Sequence, residues 1–259
     1  MEALMAKMEK RLNLIRQNSF TKEEVAEKEV KYQCSICQDR EYIIDRHSVK
    51  PCRCRETKIY QRILQKSGIS EAFQRKTFKN YDTNKKPLII INAKKMAMEY
   101  VAAFQKISQQ KNNSIAFFGQ VGAAKTHLSI AIANELMRRN IGVLYMQYRE
   151  IITHLKQCII DEEYYQREIS KYKTCSVLMI DDLFKGLLKK NKVNDTDINI
   201  MFEIINYRYL KGLPVIVSSE YAVDKLLEFD EAVGSRIIEM SRGKIVEFEG
   251  IELNHRLVI

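Results

Sequence analysis

The sequence predicts an α/β protein in which a parallel five-stranded sheet, covered by helices, follows a small helical, zinc-binding N-terminal domain. Two observations carry this prediction. Short apolar runs alternate with helical stretches along the C-terminal two-thirds of the chain, as in a parallel sheet, and four closely spaced cysteines stand upstream of them. The five apolar runs are residues 114–119, 142–147, 176–182, 214–220 and 244–249.

Three parts follow one another along the 259 residues. Residues 1–56 combine an N-terminal helix with the cysteine segment, residues 57–87 form a basic helical connector, and residues 88–259 form the sheet domain. The N-terminal helix carries one apolar stripe at helical spacing, made of Leu4, Met5, Met8, Leu12 and Ile15. The stripe either packs on the zinc module or docks in a groove of a partner protein.

The N-terminal cysteines form two close pairs, Cys34 with Cys37 and Cys52 with Cys54. Two such pairs suit a tetrahedral Zn²⁺ ion, because each pair closes one local turn around the metal. An iron–sulfur cluster is the chemical alternative. Since protein thiolates would fill all four positions, the metal is expected to be structural. Cys158 and Cys175 lie far away in the sequence and are expected to be small core residues.

The loop after the first run, GQVGAAKT, nearly matches the phosphate-binding pattern G-x-x-x-x-G-K-[ST]. Backbone N–H groups of such a loop form an anion site at a helix N-terminus. Lys125 would reach the β- and γ-phosphates, and the Thr126 hydroxyl would coordinate Mg²⁺. Ala124 stands where the pattern has glycine, at little cost if its φ is negative and about 1–2 kcal/mol if it is positive. The predicted nucleotide contacts are Gly119, Gln120, Val121, Gly122, Ala123, Ala124, Lys125, Thr126 and His127.

Two acids end the apolar run VLMIDD, downstream of the loop. At the carboxyl end of a strand, Asp181 can hold Mg²⁺ and Asp182 can orient or polarise an attacking water. A buried strand with an exposed acidic end is a common alternative. Both elements in this order on alternating strands nevertheless predict a P-loop NTPase that uses ATP or ADP with Mg²⁺.

Arg236 lies on a short predicted helix after the fourth run. In ring-forming NTPases an arginine at this place reaches the γ-phosphate in a neighbouring subunit and stabilises the charge of the transition state. On spacing alone, an ordinary surface arginine is nearly as good an interpretation.

The basic character of the chain, with a net charge of +10, favours nucleic acid or an acidic protein as a partner. Single-stranded DNA needs a basic track with stacking surfaces. Two stretches offer candidates, namely Tyr148, Arg149 and Lys156 in the first and Lys185, Lys189 and Lys190 in the second. A solvated loop and an ordinary amphipathic helix explain any one of these residues equally well.

Neither a membrane span nor a secretion signal is expected. No run of 18 apolar residues occurs, and the first residues carry charges where a signal peptide has its apolar centre. The sequence therefore predicts a cytosolic protein without a membrane partner, whose six cysteines do not form disulfides.

Taken together, the motifs resemble those of the DnaC/DnaI-like replicative helicase loaders, especially the versions carried by phages and prophages. The stretches that carry the resemblance are CSIC…CRC, SGISEAFQRKTF, GQVGAAKTHLSIAIANEL, VLMIDDL, PVIVSSE, AVGSRI and NHRL. The resemblance implies an AAA+ core without the C-terminal helical lid of most such proteins. Glu220 stands where many relatives have a sensor asparagine, and Ala124 departs from the family glycine.

The resemblance also implies a function. Such loaders bind the hexameric replicative helicase through their N-terminal region and associate into a ring or spiral on it. Their AAA+ domains bind ATP and single-stranded DNA and help to place the helicase on that strand in the bacterial cytosol. Carried over to this chain, Lys125, Asp181, Asp182 and Arg236 would be the catalytic residues.

Two alternatives remain at the level of sequence. One is a transposition helper ATPase of the related IstB type, although the cysteine cluster argues against it. The other is an adaptor that binds nucleotide without hydrolysing it, which Ala124 keeps open.

Overall fold

The computed structural model describes residues 32, 34–45, 48–186 and 194–257 and divides the chain into two compact units, Met1–Arg55 and Glu56–Ile259. The predicted N-terminal helix, Lys189 and Lys190 lie outside the described residues. Among the helices that the structure describes, none combines the length and the apolar character that a membrane crossing requires.

The described part of the first unit is a turn followed by a small hairpin. Strands β1 (Tyr42–Asp45) and β2 (Ser48–Pro51) pair antiparallel. All four residues of β1 are exposed, whereas Cys37 and Cys52 are buried. The sequence predicted a cysteine-bearing, metal-binding segment here and did not predict the hairpin.

The second unit alternates helices and strands. Its helices are α1 (Cys54–Lys66, which begins just before the unit), α2 (Glu71–Gln74), α3 (Leu88–Ile107), α4 (Lys125–Arg138), α5 (Tyr148–Cys158), α6 (Glu162–Thr174), α7 (Asp195–Lys211), α8 (Val223–Phe229) and α9 (Glu231–Met240). Its strands are β3 (Ile115–Gly119), β4 (Val143–Gln147), β5 (Val177–Asp181), β6 (Val215–Ser218) and β7 (Ile245–Phe248), and a 3₁₀ turn follows at Ile251–Leu253.

The five strands form one parallel sheet in the order β4–β5–β6–β3–β7. This confirms the predicted five-stranded parallel sheet. Alternate residues of a strand face opposite sides, so Leu178 and Ile180 of β5 enter one buried cluster while Val177 and Met179 enter the other. Both faces are covered, which is why the strands read as nearly continuous apolar runs.

The segment between α1 and α3 belongs to the sheet domain and is not a separate connector. The Tyr145 N–H of β4 donates to Ser67 O at 2.7 Å, and Ile69 and Tyr81 are buried in the same cluster as α3 and α4. The side-chain amide of Asn134 in α4 donates to the carbonyls of Phe73, Gln74 and Lys76. The predicted domain start at residue 88 is therefore too late, and the core begins near residue 67.

Candidate functional site

The loop between β3 and α4 turns through three residues with positive φ, which are Gly119 (93°), Gly122 (80°) and Ala124 (60°). A Cβ on Gly119 would lie 2.2 Å from Phe248 O, and one on Gly122 would lie 1.9 Å from Asn254 Oδ1. Because the neighbouring strand and the chain after Leu253 press against this loop, both positions require glycine.

Ala124 adopts the left-handed conformation immediately before α4, with φ 60° and ψ 27°. Because φ is positive, the higher of the two expected strain energies for this alanine applies, about 1–2 kcal/mol. Ala123, one position earlier, is fully buried in the core and is not among the residues with positive φ.

We expect Ala124→Gly to stabilise the protein by about 0.5–1 kcal/mol, because glycine relieves the left-handed strain and loses part of that gain to its own chain entropy. The melting temperature should rise by about 1–4 °C. Ala123→Gly is the matched control and should lower the melting temperature, since only the unfolded chain gains freedom there. Equal destabilisation by both changes would contradict the left-handed assignment.

The Lys125 side chain is 6% exposed and folds back onto the loop. Its Nζ donates to Gly119 O at 2.7 Å and to Gln120 O at 2.6 Å. Burial lowers the pKa of Lys125 to about 8, although the nearby acids Asp182 and Glu220 oppose that shift. A desolvated ammonium group that interacts with backbone carbonyls is ready to exchange them for phosphate oxygens.

Asp181 ends β5 and is 5% exposed. Its Oδ1 accepts from Thr126 Oγ1 at 2.8 Å and from Ser218 Oγ at 2.5 Å, and its Oδ2 accepts from Tyr145 OH at 3.1 Å. Burial raises the pKa of Asp181, although these hydroxyl groups oppose that shift. Thr126 and Asp181 thus meet as predicted, and a hydroxyl beside a carboxylate is a donor set that Mg²⁺ accepts. Sequence reasoning missed Ser218 and Tyr145, which no motif signals.

A cavity of about 280 Å³ opens over the loop and the ends of β5 and β6. Four lysine or arginine side chains line it against two acids, so its charge suits a polyanion. The lining residues are Lys76, Val121, Gly122, Ala124, Lys125, Thr126, His127, Asp182, Lys185, Glu220, His255 and Arg256. Lys76, His255 and Arg256 were not predicted, and the basic NHRL stretch was the only signal for the last two.

His127 fixes the segment before α3 to the start of α4. Its Nε2 lies 3.0 Å from Thr77 O and 3.1 Å from Asn80 Oδ1, and its ring meets the edge of Tyr81 at 5.2 Å. Burial lowers the pKa of His127. Together with Ala124 and His255, these side chains also line a second cavity of about 420 Å³. Of the remaining loop residues, Gln120 donates its amide to Val121 O at 3.2 Å, and Val121 is 39% exposed.

Arg236 lies on α9 and does not line the 280 Å³ cavity over the loop of its own chain. Its Nε donates to Asn206 Oδ1 at 3.1 Å, its Nη1 donates to Ala232 O at 2.7 Å, and its guanidinium stacks on Phe202 and Tyr209. These contacts hold the charge at a fixed place on the surface of α7 and α9.

Of the residues predicted for a DNA path, the four that the structure describes do not form one surface. Tyr148 is 1% exposed and packs edge-on against Phe184, so its ring belongs to the core and that prediction is wrong. Lys156 pairs with Asp197 at 2.6 Å. Lys185 lines the nucleotide cavity, so only Arg149, which is exposed, remains available among the described candidates.

The four N-terminal cysteines converge, with all four Sγ atoms within 4.8 Å of one another. Sγ of Cys34 lies 3.8 Å from that of Cys52, and Sγ of Cys37 lies 3.4 Å from that of Cys54. A tetrahedral zinc–thiolate site has S–S separations of about 3.8 Å, so the cluster fits the ion. Backbone N–H groups of Cys37 and Ile36 lower the pKa of Cys34 to about 6, which favours its thiolate.

The other two cysteines lie in the second unit. Cys158 is 5% exposed, and its Sγ donates to His154 O at 3.2 Å. The Cys175 sulfur lies 3.3 Å from Nη1 of the buried Arg208. Both pack within the fold, as predicted.

The family model of the bacterial DnaA ATPase domain matches residues 70–244 of this chain. The phage-like element PBSX protein XkdC of Bacillus subtilis (strain 168) is 38% identical over 234 residues, which cover 88% of this chain and 87% of XkdC. The replicative helicase loader DnaI of the same organism is 26% identical over 140 residues, which cover 53% of this chain and 43% of DnaI.

Two solved structures share the fold. The crystal structure of DnaI superposes with a TM-score of 0.57 at 24% identity, covering 70% of this chain and 95% of that one. The crystal structure of the DnaC helicase loader superposes with a TM-score of 0.56 at 20% identity, covering 70% of this chain and all of that one, at 100%. These matches confirm the predicted AAA+ fold class.

Proposed function

The chain belongs to the family of the bacterial DnaA ATPase domain, and from this premise we propose that it is an ATP-dependent loader of a hexameric replicative helicase onto single-stranded DNA. The observation that carries the proposal is the meeting of Lys125 and Thr126 in one cationic cavity, with Asp181 hydrogen-bonded to Thr126, in a chain similar to the loader DnaI. The likeness to XkdC supports a loader of the phage type that acts in the bacterial cytosol.

Within this proposal each side chain of the cavity has one task. Lys125 leaves its two carbonyl partners and binds the β- and γ-phosphates, and backbone N–H groups of the loop bind the remaining oxygens. Thr126 and Asp181 hold Mg²⁺, which when bound neutralises phosphate charge. Asp182, at the mouth of the cavity, orients the attacking water.

Association of several copies into a ring or spiral is part of the proposal. Arg236 supports it, because stacking on Phe202 and Tyr209 holds its guanidinium outside the cavity of its own chain. There it would reach the terminal phosphate bound by a neighbouring copy. Residues 1–56, with a zinc ion on the four cysteines, would bind the helicase.

The test is co-elution of the full chain with a hexameric replicative helicase on size exclusion, with ATP and magnesium present. We expect a stable complex, its loss when residues 1–56 are deleted, and ATP turnover that rises when helicase and single-stranded DNA are added. Co-elution with a transposase and not with any helicase would favour the transposition helper instead.

A non-hydrolysing adaptor is the second candidate, and one observation favours it. Lys185 Nζ lies 2.7 Å from Asp182 Oδ2, so the proposed water-orienting carboxylate is engaged in an ion pair. Turnover assays with the parent and the Ala124→Gly variant separate the two candidates. A loader hydrolyses ATP at least as fast with glycine, whereas negligible turnover in both proteins supports the adaptor.

A further inference from the structure

Lys185 is the unexpected cation of the nucleotide cavity. Its ammonium group lies 2.7 Å from Asp182 Oδ2 and 3.7 Å from Glu220 Oε2. The two acids follow neighbouring strands β5 and β6, so all three side chains meet at the carboxyl edge of the sheet. Sequence patterning placed Lys185 in a basic stretch suited to DNA, because its distance to Glu220 depends on the sheet and not on the sequence.

The turn that carries Lys185 is fixed from both sides. Asp182 and Phe184 have positive φ, at 56° and 64°. The Leu183 N–H donates to Ser218 O at 2.8 Å, and Ser219 Oγ donates to Leu183 O at 2.8 Å. Leu183 and Phe184 are both fully buried. The backbone therefore holds Lys185 at the cavity on a rigid turn, although half of its side chain stays open to solvent.

Lys185 would lie at the terminal-phosphate end of the proposed site. Lys125 and the Thr126–Asp181 pair would contact the β- and γ-phosphates and Mg²⁺, and Asp182, the ion-pair partner of Lys185, directly follows β5. Tyr81 lines the second cavity and not the first, whereas Lys185 lines only the first. A ligand that extends one phosphate further toward Asp182 therefore gains a contact that a shorter ligand cannot make.

The positive charge of Lys185 matters because two carboxylates, those of Asp182 and Glu220, lie beside it. Two carboxylates that face a γ-phosphate repel it strongly in a partly desolvated cavity. The lysine offsets one of these two negative charges, and its ammonium keeps hydrogens free for a phosphate oxygen. Glu220 stands at the position where a neutral asparagine is expected, so the pair of Glu220 and Lys185 offers the net charge and the donor that such an amide offers.

Resting on the proposed function, we propose that Lys185 binds the terminal phosphate of ATP from within the same chain, paired with Glu220, and thereby makes the site prefer ATP over ADP. Its partner in the ligand is the γ-phosphoryl group, which ADP lacks. Lys125 contacts both nucleotides, while Lys185 contacts only the triphosphate.

The test is the ratio of ATP and ADP dissociation constants, measured by titration calorimetry with magnesium present. Lys185→Met should weaken ATP binding by about tenfold and ADP binding by less than about twofold, because only the γ-phosphate loses a charge-assisted contact. Lys185→Arg should keep most of the preference. Adding Glu220→Gln to Lys185→Met should restore part of the ATP affinity, since one repelling carboxylate disappears.

An equal loss for ATP and ADP, or no loss, would overturn the inference about Lys185, and absence of rescue by Glu220→Gln would overturn the pairing. A merely structural lysine changes both affinities or the melting temperature, and leaves their ratio unchanged. If the parent protein binds neither nucleotide, the proposed function itself fails. If the parent protein instead binds ATP and ADP equally tightly, only the inference about Lys185 fails and the proposed function stands.

Discussion

Replacing Lys125 with alanine should abolish measurable nucleotide binding and leave the fold intact. The Lys125 ammonium group is the most buried cation of the cavity, and it would exchange the carbonyls of Gly119 and Gln120 for phosphate oxygens. Hydrogen bonds to charged groups contribute about 1.5–3 kcal/mol each. Losing two of them weakens ATP by about a hundredfold or more.

The fold should survive because Lys125 itself lines an open cavity, so that water can replace its ammonium group beside the two carbonyls. We expect calorimetry with ATP or ADP and magnesium to show no heat for Lys125→Ala, and a melting temperature within a few degrees of the parent. Lys95→Ala is the matched control, since the Lys95 side chain is 74% exposed on α3 and pairs with Glu99 at 3.9 Å. Indistinguishable titrations for the parent and Lys125→Ala would refute the phosphate-loop interpretation.

The sheet was predictable because every strand is covered on both faces. A strand that is buried on both faces is a continuous apolar run, which can be identified without knowing its neighbouring strands. The run VLMIDD also places Asp181 at the end of a strand. The loop around Lys125 was equally predictable from the sequence. Its glycines adopt positive φ angles, and the phosphate-binding pattern places glycine at such positions. Features set by local chain geometry were therefore within reach of the sequence.

Contacts between neighbouring strands were out of reach. Tyr145 and Ser218 meet Asp181 only because β4 and β6 flank β5 in this order and register. Buried Arg208 is a similar case, since its guanidinium donates to the carbonyls of Tyr172 and Pro214, and no acidic side chain pairs with it among the described residues. From the sequence alone, a basic residue in α7 is expected at the surface. Only the fold shows that carbonyls from separate segments meet around Arg208.

Helical periodicity also misled in one place. Tyr148 and Arg149 are neighbours at the start of α5, and both suited a DNA track by residue type. A helix turns by about 100° per residue, so the two point in different directions, and here Tyr148 enters the core while Arg149 stays exposed. The sequence showed an amphipathic helix without showing which of its faces the sheet would bury.

Removing the metal from Cys34, Cys37, Cys52 and Cys54 should unfold the N-terminal unit. Among its described residues, only Cys37 and Cys52 are buried, and the hairpin has two strands of four residues each. An isolated two-stranded hairpin is at best marginally stable. A structural zinc ion contributes about 10–16 kcal/mol to the folding of small domains, far more than this unit offers otherwise.

We expect one zinc per chain by atomic emission, and none after Cys37→Ser. That variant should become sensitive to protease between residues 34 and 55 and should lose helicase binding, while ATP affinity stays unchanged because the nucleotide site lies in the second unit. Cys158→Ser is the matched control, since its hydroxyl can still donate to His154 O and no metal depends on it. Visible absorption and bound iron would identify a cluster in place of zinc. A metal-free parent that resists protease as well as the zinc-loaded chain would mean that the four thiols do not hold this unit together.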